Sequence, residues 1–261
     1  MFSSNPFAEL SASIPPFAMQ TYVIVMIILV AGGTVYDTLH KKSAQYFFKN
    51  WRNAKNMSVQ QVSAGQMVSM AFQTLIVEGL MSGEFCNSRR RIAHLLTMYG
   101  FLAYVITPAI MVFWYATPAT PAAAIVPPLW YIGALMVCIG GYWFWFFIRV
   151  DVAAEGNSPF RLVRADLFVV SLLVSVTVGL VWAYVQATGN TVWANAFLSL
   201  YILSTTVFFG SVPWSKFSHM FYKPAAAFQK RVEQASGSSN LPDPADSPEI
   251  YGSSGQQPRN F

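Results

Sequence analysis

His94 and His219, two of the three histidines in this chain, stand at the ends of long apolar segments, and the basic residues place both ends at the same face of a membrane. Facing imidazoles on neighbouring helices are what a b-type haem needs as axial ligands, so the pair points to haem iron held between two helices. Arg90, Arg91 and Lys216 flank the two histidines, where haem propionates need cations. The plainer alternative makes each imidazole an interfacial side chain with its polar tip among lipid headgroups, and the sequence leaves both readings open. His40, beside Lys41 and Lys42, has no matching partner and reads as interfacial.

The elements that must carry these histidines are membrane spans. The chain is 54% hydrophobic and only 10% charged, against about 25% charged residues in an ordinary soluble domain. Crossing the hydrocarbon takes about 20 mostly apolar residues. Five stretches reach that length, at about 17–37, 93–115, 129–149, 165–186 and 191–213, and none carries a mid-span Lys, Arg, Asp or Glu. The expected fold is therefore an all-α integral membrane protein, a bundle of five transmembrane helices. Lys and Arg are retained on the cytoplasmic side. The segment before the first span and the connections 116–128 and 187–190 contain none of the sixteen, so all of them lie on the opposite side. This predicts an outside N-terminus and a cytoplasmic C-terminus. The expected organisation is an outer segment 1–16, a membrane domain 17–231 with a long cytoplasmic connection at 40–91, and a cytoplasmic tail 232–261 whose Ser, Gly, Pro and Asp content predicts disorder.

Basic residues that flank spans are explained by insertion and anionic headgroups, so the net charge of +5 needs no nucleic-acid partner. Cys86, in the cytoplasmic connection, and Cys138, inside the third span, offer neither a disulfide nor a metal-ligand spacing and read as packing residues. The first apolar stretch lacks a basic leader and is expected to be a retained span. Pro118, Pro121, Pro127 and Pro128 make the outer connection 116–128 an exposed, non-helical turn. Ser58 with Gln61 reads as the capping-box start of a helix carrying Val68, Phe72, Leu75, Ile76 and Leu80. That helix lies on the inner membrane surface, docks a partner, or covers the bundle. Pro108 in the second span predicts a kink that suits a cofactor cavity.

The string PWSKFSHMFY resembles the signature that ends the last span in nitrate-reductase gamma-subunit-like cytochromes b, the group of quinone-interacting membrane cytochromes. RRRIAHLLTMYGF resembles the start of their second span, and RADLFVVSLLVSVTVG their aspartate-led fourth span. The similarity covers roughly residues 88–231, and five spans with an outside N-terminus agree with it. It implies a bacterial inner-membrane protein exchanging electrons between quinone and a cytoplasmic redox partner through haem b. By resemblance, His94 and His219 match the ligands of the haem nearer the cytoplasm. Two-haem relatives need a second pair deeper in the same helices, near Tyr104 and Tyr201 here. No histidine occupies those positions, so a single haem is expected, with the two tyrosines serving packing or quinone contact.

Two isolated cysteines cannot hold an iron–sulfur cluster, so the resemblance also implies a separate electron donor. Small single-chain members of this kind in sulfur-oxidising bacteria anchor adenylylsulfate reductase, an iron–sulfur flavoprotein, and that enzyme is the expected partner. Basic cytoplasmic connections would attract an acidic protein, and quinone would sit against Tyr99, Trp143 or Trp145. A structural anchor without haem is the alternative. A transporter or channel is less favoured, since neither intramembrane ionisable groups nor inverted repeats are visible.

Overall fold

Every regular element among the described residues is helical. The structure is a computed structural model and describes residues 4–83, 85, 87–163, 166–215, 217 and 219–239; Cys86, Lys216 and the tail from 240 lie outside the described residues. In chain order the helices are α1 (Pro6–Leu10), α2 (Pro16–His40), α3 (Ser43–Asn56) and α4 (Ala64–Thr74, continued by a π-helical turn Leu75–Leu80). Then come α5 (Ser88–Trp114), α6 (Val126–Trp143, continued by a π-helical turn Phe144–Ile148) and the short α7 (Val150–Ala153). The remainder is α8 (Leu167–Ala187), α9 (Thr191–Gly210), a 3-10 turn Val212–Trp214 and α10 (His219–Ser236). Five helices, α2, α5, α6 with its π turn, α8 and α9, are long and apolar enough to cross a membrane, and they coincide with the five apolar stretches of the sequence.

The chain divides into two units, Met1–Asp37 with Asn87–Ser218, and Thr38–Cys86 with His219–Phe261. The first unit contains four of the five spans and most of the fifth. In lipid no hydrophobic force drives helices together, so close packing depends on small residues that let backbones approach. Gly100 and Gly133 do this for α5 and α6. A Cβ on Gly100 would lie 2.7 Å from the Gly133 carbonyl oxygen, and one on Gly133 2.8 Å from that of Gly100. Gly140 repeats the contact against Ala93, at 2.7 Å. Hydroxyl pairs join the other spans: Ser175 Oγ and Thr205 Oγ1 lie 2.8 Å apart between α8 and α9, and Tyr142 meets Thr177 at 2.8 Å between α6 and α8. α2 buries little of itself. It is held by the Gln20 amide donating to the Val112 carbonyl at 3.3 Å, the Tyr22 hydroxyl 3.0 Å from Thr206, and Gly33 against Pro213.

α1 closes one end of this bundle. Asn5 caps it by accepting from the Phe7 and Ala8 amides and ties it down by donating to the Tyr115 carbonyl at 2.8 Å. Gln186 donates to the Pro6 carbonyl at 2.7 Å, and Phe7 enters the core between Trp130 and Trp182, with ring centroids 5.7 and 5.4 Å away.

Two expectations about prolines and caps change. Pro127 and Pro128 do not belong to a non-helical connection; they lie in the first turn of α6, which begins at Val126. An amide there has no intrahelical acceptor, so proline costs nothing and its fixed φ favours the start. Likewise, the capping box is Ser63 with Gln66, which accept from each other's backbone amides at 2.9 and 3.3 Å. Ser58 instead closes α3, its hydroxyl donating to the Lys55 carbonyl at 2.8 Å. α5 continues through Pro108 without a break.

The second unit packs α3 and α4 against α10. Trp51 stacks on Phe228 with centroids 5.7 Å apart, Glu78 pairs with Arg231 at 3.3 Å, and Tyr222 donates to Thr38 Oγ1 at 2.6 Å. Gly237, at φ 70°, turns the chain where α10 ends. The Ser236 carbonyl accepts from the Val59 and Gln60 amides at 2.9 and 3.2 Å, satisfying a group the helix leaves open. Thr74 faces inward, whereas Val68, Phe72 and Leu75 remain exposed.

Gly100→Val puts branched carbon where no space exists. We expect a loss of about 1–3 kcal/mol, read as a lowered unfolding temperature of the detergent-solubilised protein, with Gly32→Val, at an open position, as the neutral control.

Candidate functional site

His94 lies in the second turn of α5, a helix started by Asn87, whose side-chain oxygen accepts from the Arg89 amide at 2.9 Å. The imidazole is half-buried. Which neighbour it faces follows from helix geometry. Ala93 and Gly100 mark the face of α5 that meets Gly140 and Gly133 of α6, and a residue one step along is turned by about 100°. His94 instead shares a face with Phe101, seven residues on, and Phe101 packs edge-on against Phe208 of α9, centroids 5.8 Å apart. From Phe208 the aromatic contacts continue to Phe168 at 4.8 Å and from there to Phe217 at 5.6 Å. Thus His94 shares the side of α5 whose Phe101 meets α9, and the aromatic contacts pass on through Phe168 of α8 to Phe217.

His219 does not close the fifth span, as its sequence position suggested. α9 ends at Gly210, and His219 is the first residue of α10. Pro213 accounts for the break, because it cannot donate an amide to continue α9; Ser211 and Ser215 turn their hydroxyls back onto the Phe208 and Val212 carbonyls at 2.9 Å each. His94 belongs to the first unit and His219 to the second. His40 is exposed at the end of α2.

The basic residues at the His94 end divide by role. Arg90 donates through Nη2 to the Ile148 carbonyl at 3.3 Å, tying the start of α5 to the end of the π turn. Arg91 is half-buried, and Lys216 lies outside the described residues. Arg149, counted from sequence among the charges that set orientation, is 5% exposed. Its Nη1 pairs with Asp166 Oδ2 at 2.8 Å, its Nη2 donates to the Arg161 carbonyl at 2.6 Å, and its guanidinium lies 4.2 Å over the Trp145 ring. Asp166 also accepts the Val163 amide at 3.0 Å. Trp145 is therefore covered by a cation, while Trp143 is half-buried. Asp37, at 1% exposed the most buried acid, was also missed; one carboxylate at the end of an apolar helix gives no signal of burial.

The two tyrosines singled out in the sequence are brought together. Tyr104 of α5 stacks on Trp130 of α6, and Tyr201 of α9 on Trp182 of α8, with centroids 6.0 and 5.6 Å apart. The two phenols converge at Gly179, where a Cβ would lie 3.2 Å from the Tyr104 oxygen and 3.0 Å from the Tyr201 ring. Tyr104 hydroxyl is 3.3 Å from both the Ser175 hydroxyl and its carbonyl. With Phe7 across the end, the five rings form one buried aromatic cluster. Both indoles are fully buried, and their N–H groups have no hydrogen-bond partner among the described residues. A buried donor without an acceptor costs about 1–3 kcal/mol. Tyr99 stands apart, exposed on α5, and Cys138 touches Thr177 at 3.9 Å.

Among the described residues no three His, Cys, Asp or Glu side chains converge as metal ligands. That bears on sites with three or more protein ligands, whereas haem iron takes two axial ones. The half-buried His94 on the α9-facing side fits one of these. No protein-family model, curated protein or solved structure matches this chain.

The Arg149–Asp166 pair supports the end of the bundle that carries His94. Removing one partner strands a buried charge, so Asp166→Ala is expected to cost about 3–5 kcal/mol. Arg149→Met with Asp166→Leu should cost far less, as read by unfolding of the three variants in one detergent.

Proposed function

We propose that this chain is the membrane subunit of an electron-transfer complex. It would sit in the bacterial inner membrane, N-terminus outside and C-terminus cytoplasmic. His94 and His219 would hold a single haem b that links a cytoplasmic iron–sulfur flavoprotein, adenylylsulfate reductase, to the quinone pool, a role in sulfur metabolism. The observation that carries this reading is the orientation of His94. It shares a helix face with Phe101, which packs on Phe208 of α9, the span that precedes His219 in the chain.

Haem b bound by the pair supplies one-electron exchange with quinone and with the soluble partner. The chain's own residues do the rest. Arg90 uses one donor on the Ile148 carbonyl, which fixes its guanidinium and leaves further donors of the fork for a propionate carboxylate. Arg91 stands beside it and adds a second cation. The basic connections attract an acidic partner and orient it. Quinone contact falls to the cluster of Tyr104, Tyr201, Trp130 and Trp182, whose two indole N–H groups have no acceptor among the described residues and are donors suited to a quinone carbonyl oxygen.

The absorption spectrum of the purified, reduced protein tests the haem. A b-type α band is expected, and it should disappear in His94→Ala and in His219→Ala; a wild type without the band leaves a structural anchor and removes the haem reading. Quinone is tested separately. Trp130→Phe and Trp182→Phe keep a ring and delete one donor each, so they should leave the α band intact and slow its reduction by a soluble quinol severalfold. Unchanged rates would place quinone elsewhere.

A further inference from the structure

The second unit contains a cavity of about 640 Å³ between the end of α4 and α10. Its walls include Lys223, Pro224, Ala227, Lys230 and Arg231 from one face of α10, and Glu78 from the π turn that continues α4. Three cations meet one carboxylate there, and that carboxylate is engaged by Arg231 at 3.3 Å. Lys223 reaches over the Phe85 ring at 5.6 Å, while Lys230 is exposed and takes part in no ion pair among the described residues. The cavity therefore selects an anion, and its volume is that of a headgroup-sized ligand.

What surrounds it selects the kind of anion. On α4, Val68, Phe72 and Leu75 recur at helical spacing and are all more than half exposed, and Leu75 stands one turn before Glu78. On α10, Met220 and Phe221 are exposed just ahead of Lys223. α10 itself follows the last span after residues 211–218 only, so this is a juxtamembrane segment. An acidic protein surface would meet the cations and leave the apolar stripe in water. A phospholipid with an acidic headgroup satisfies both, its phosphate among the lysines and its leaflet against the stripe.

We propose that the groove between α4 and α10 binds the phosphate of an anionic phospholipid, with the Val68, Phe72 and Leu75 face of α4 seated in the same leaflet. The proposal rests on the cytoplasmic placement of the basic segments in the preceding reading and not on haem.

The full-length chain, purified in detergent and titrated with phosphatidylglycerol or phosphatidylcholine, tests it by native mass spectrometry. Phosphatidylglycerol should be retained in preference to phosphatidylcholine. Lys223→Gln and Lys230→Gln should each weaken its retention about fivefold, and Lys230→Arg should restore it. Phe72→Ser should reduce retention without removing the preference for the acidic lipid. Unfolding temperatures without lipid check that each variant remains folded, and the α band of the same samples, unchanged by these substitutions, separates this test from that of the haem. Equal retention of the two lipids, retention insensitive to both lysines, or complete displacement by millimolar inorganic phosphate overturns the proposal. Displacement by an acidic soluble protein with no lipid preference would overturn it too, in favour of protein docking.

Discussion

The near contact of two backbones, α5 at Gly100 and α6 at Gly133, fixes most of what matters in the membrane unit. Lipid tails are as apolar as the side chains that meet them, so helices gain little by hiding leucines from one another. They gain by approaching closely enough for dispersion contacts along their length, and each Cβ removed at the seam makes that approach possible. Gly140 against Ala93 extends the same seam by about two turns. Once that face of α5 is committed to α6, the rest of the helix surface is assigned. Tyr104 comes close to the seam and meets Trp130, whereas His94 and Phe101 are turned away from it toward α9. The position of the imidazole is thus a consequence of glycines that never touch it.

Polar groups then set how the hairpins join. Ser175 with Thr205 and Tyr142 with Thr177 place short hydrogen bonds between helices that would otherwise slide past each other in hydrocarbon. Arg149 and Asp166 hold the end of α6 to the start of α8 where the loop begins. The four hydroxyls are paired and Arg149 binds through both Nη atoms, in keeping with the cost of an unmet polar atom in a low dielectric. Against that background the two indole N–H groups stand out. Trp130 and Trp182 flank the tyrosines from opposite hairpins, both fully enclosed, both without acceptors among the described residues. Two buried indole donors beside the tyrosine pair are a cost that an acceptor would remove.

The spans were legible because length and hydrophobicity alone mark them, and the interior hydroxyl network was not, because Ser and Thr appear in spans too freely to signal a partner. Two S-x-x-Q strings only five residues apart offered the same capping box. Only the geometry shows that Ser63 starts a helix while Ser58 ends one. Pro127 and Pro128 looked like turn residues, since proline's preference for a first helical turn is visible only once the turn's position is known. Arg149 was indistinguishable from any basic residue that holds a loop in the cytoplasm. The aromatic neighbours of His94 could be found, in principle, from the seven-residue spacing to Phe101; the α9 partner required the fold.

The C-terminal histidine shows how a local rule redirects a functional residue. The apolar run continues past the end of α9 at Gly210, and Pro213 keeps the helix from continuing by withholding an amide rather than by any loss of hydrophobicity. His219 consequently opens a new helix, and that helix is amphipathic, packed against α3 through Phe228 and lined with Lys223, Lys230 and Arg231 toward the end of α4. The residue expected to bind iron from the last span and the cations expected to flank the membrane therefore sit on one rigid element. Any contact that α10 makes with lipid or with a soluble protein acts on the helix that begins at His219.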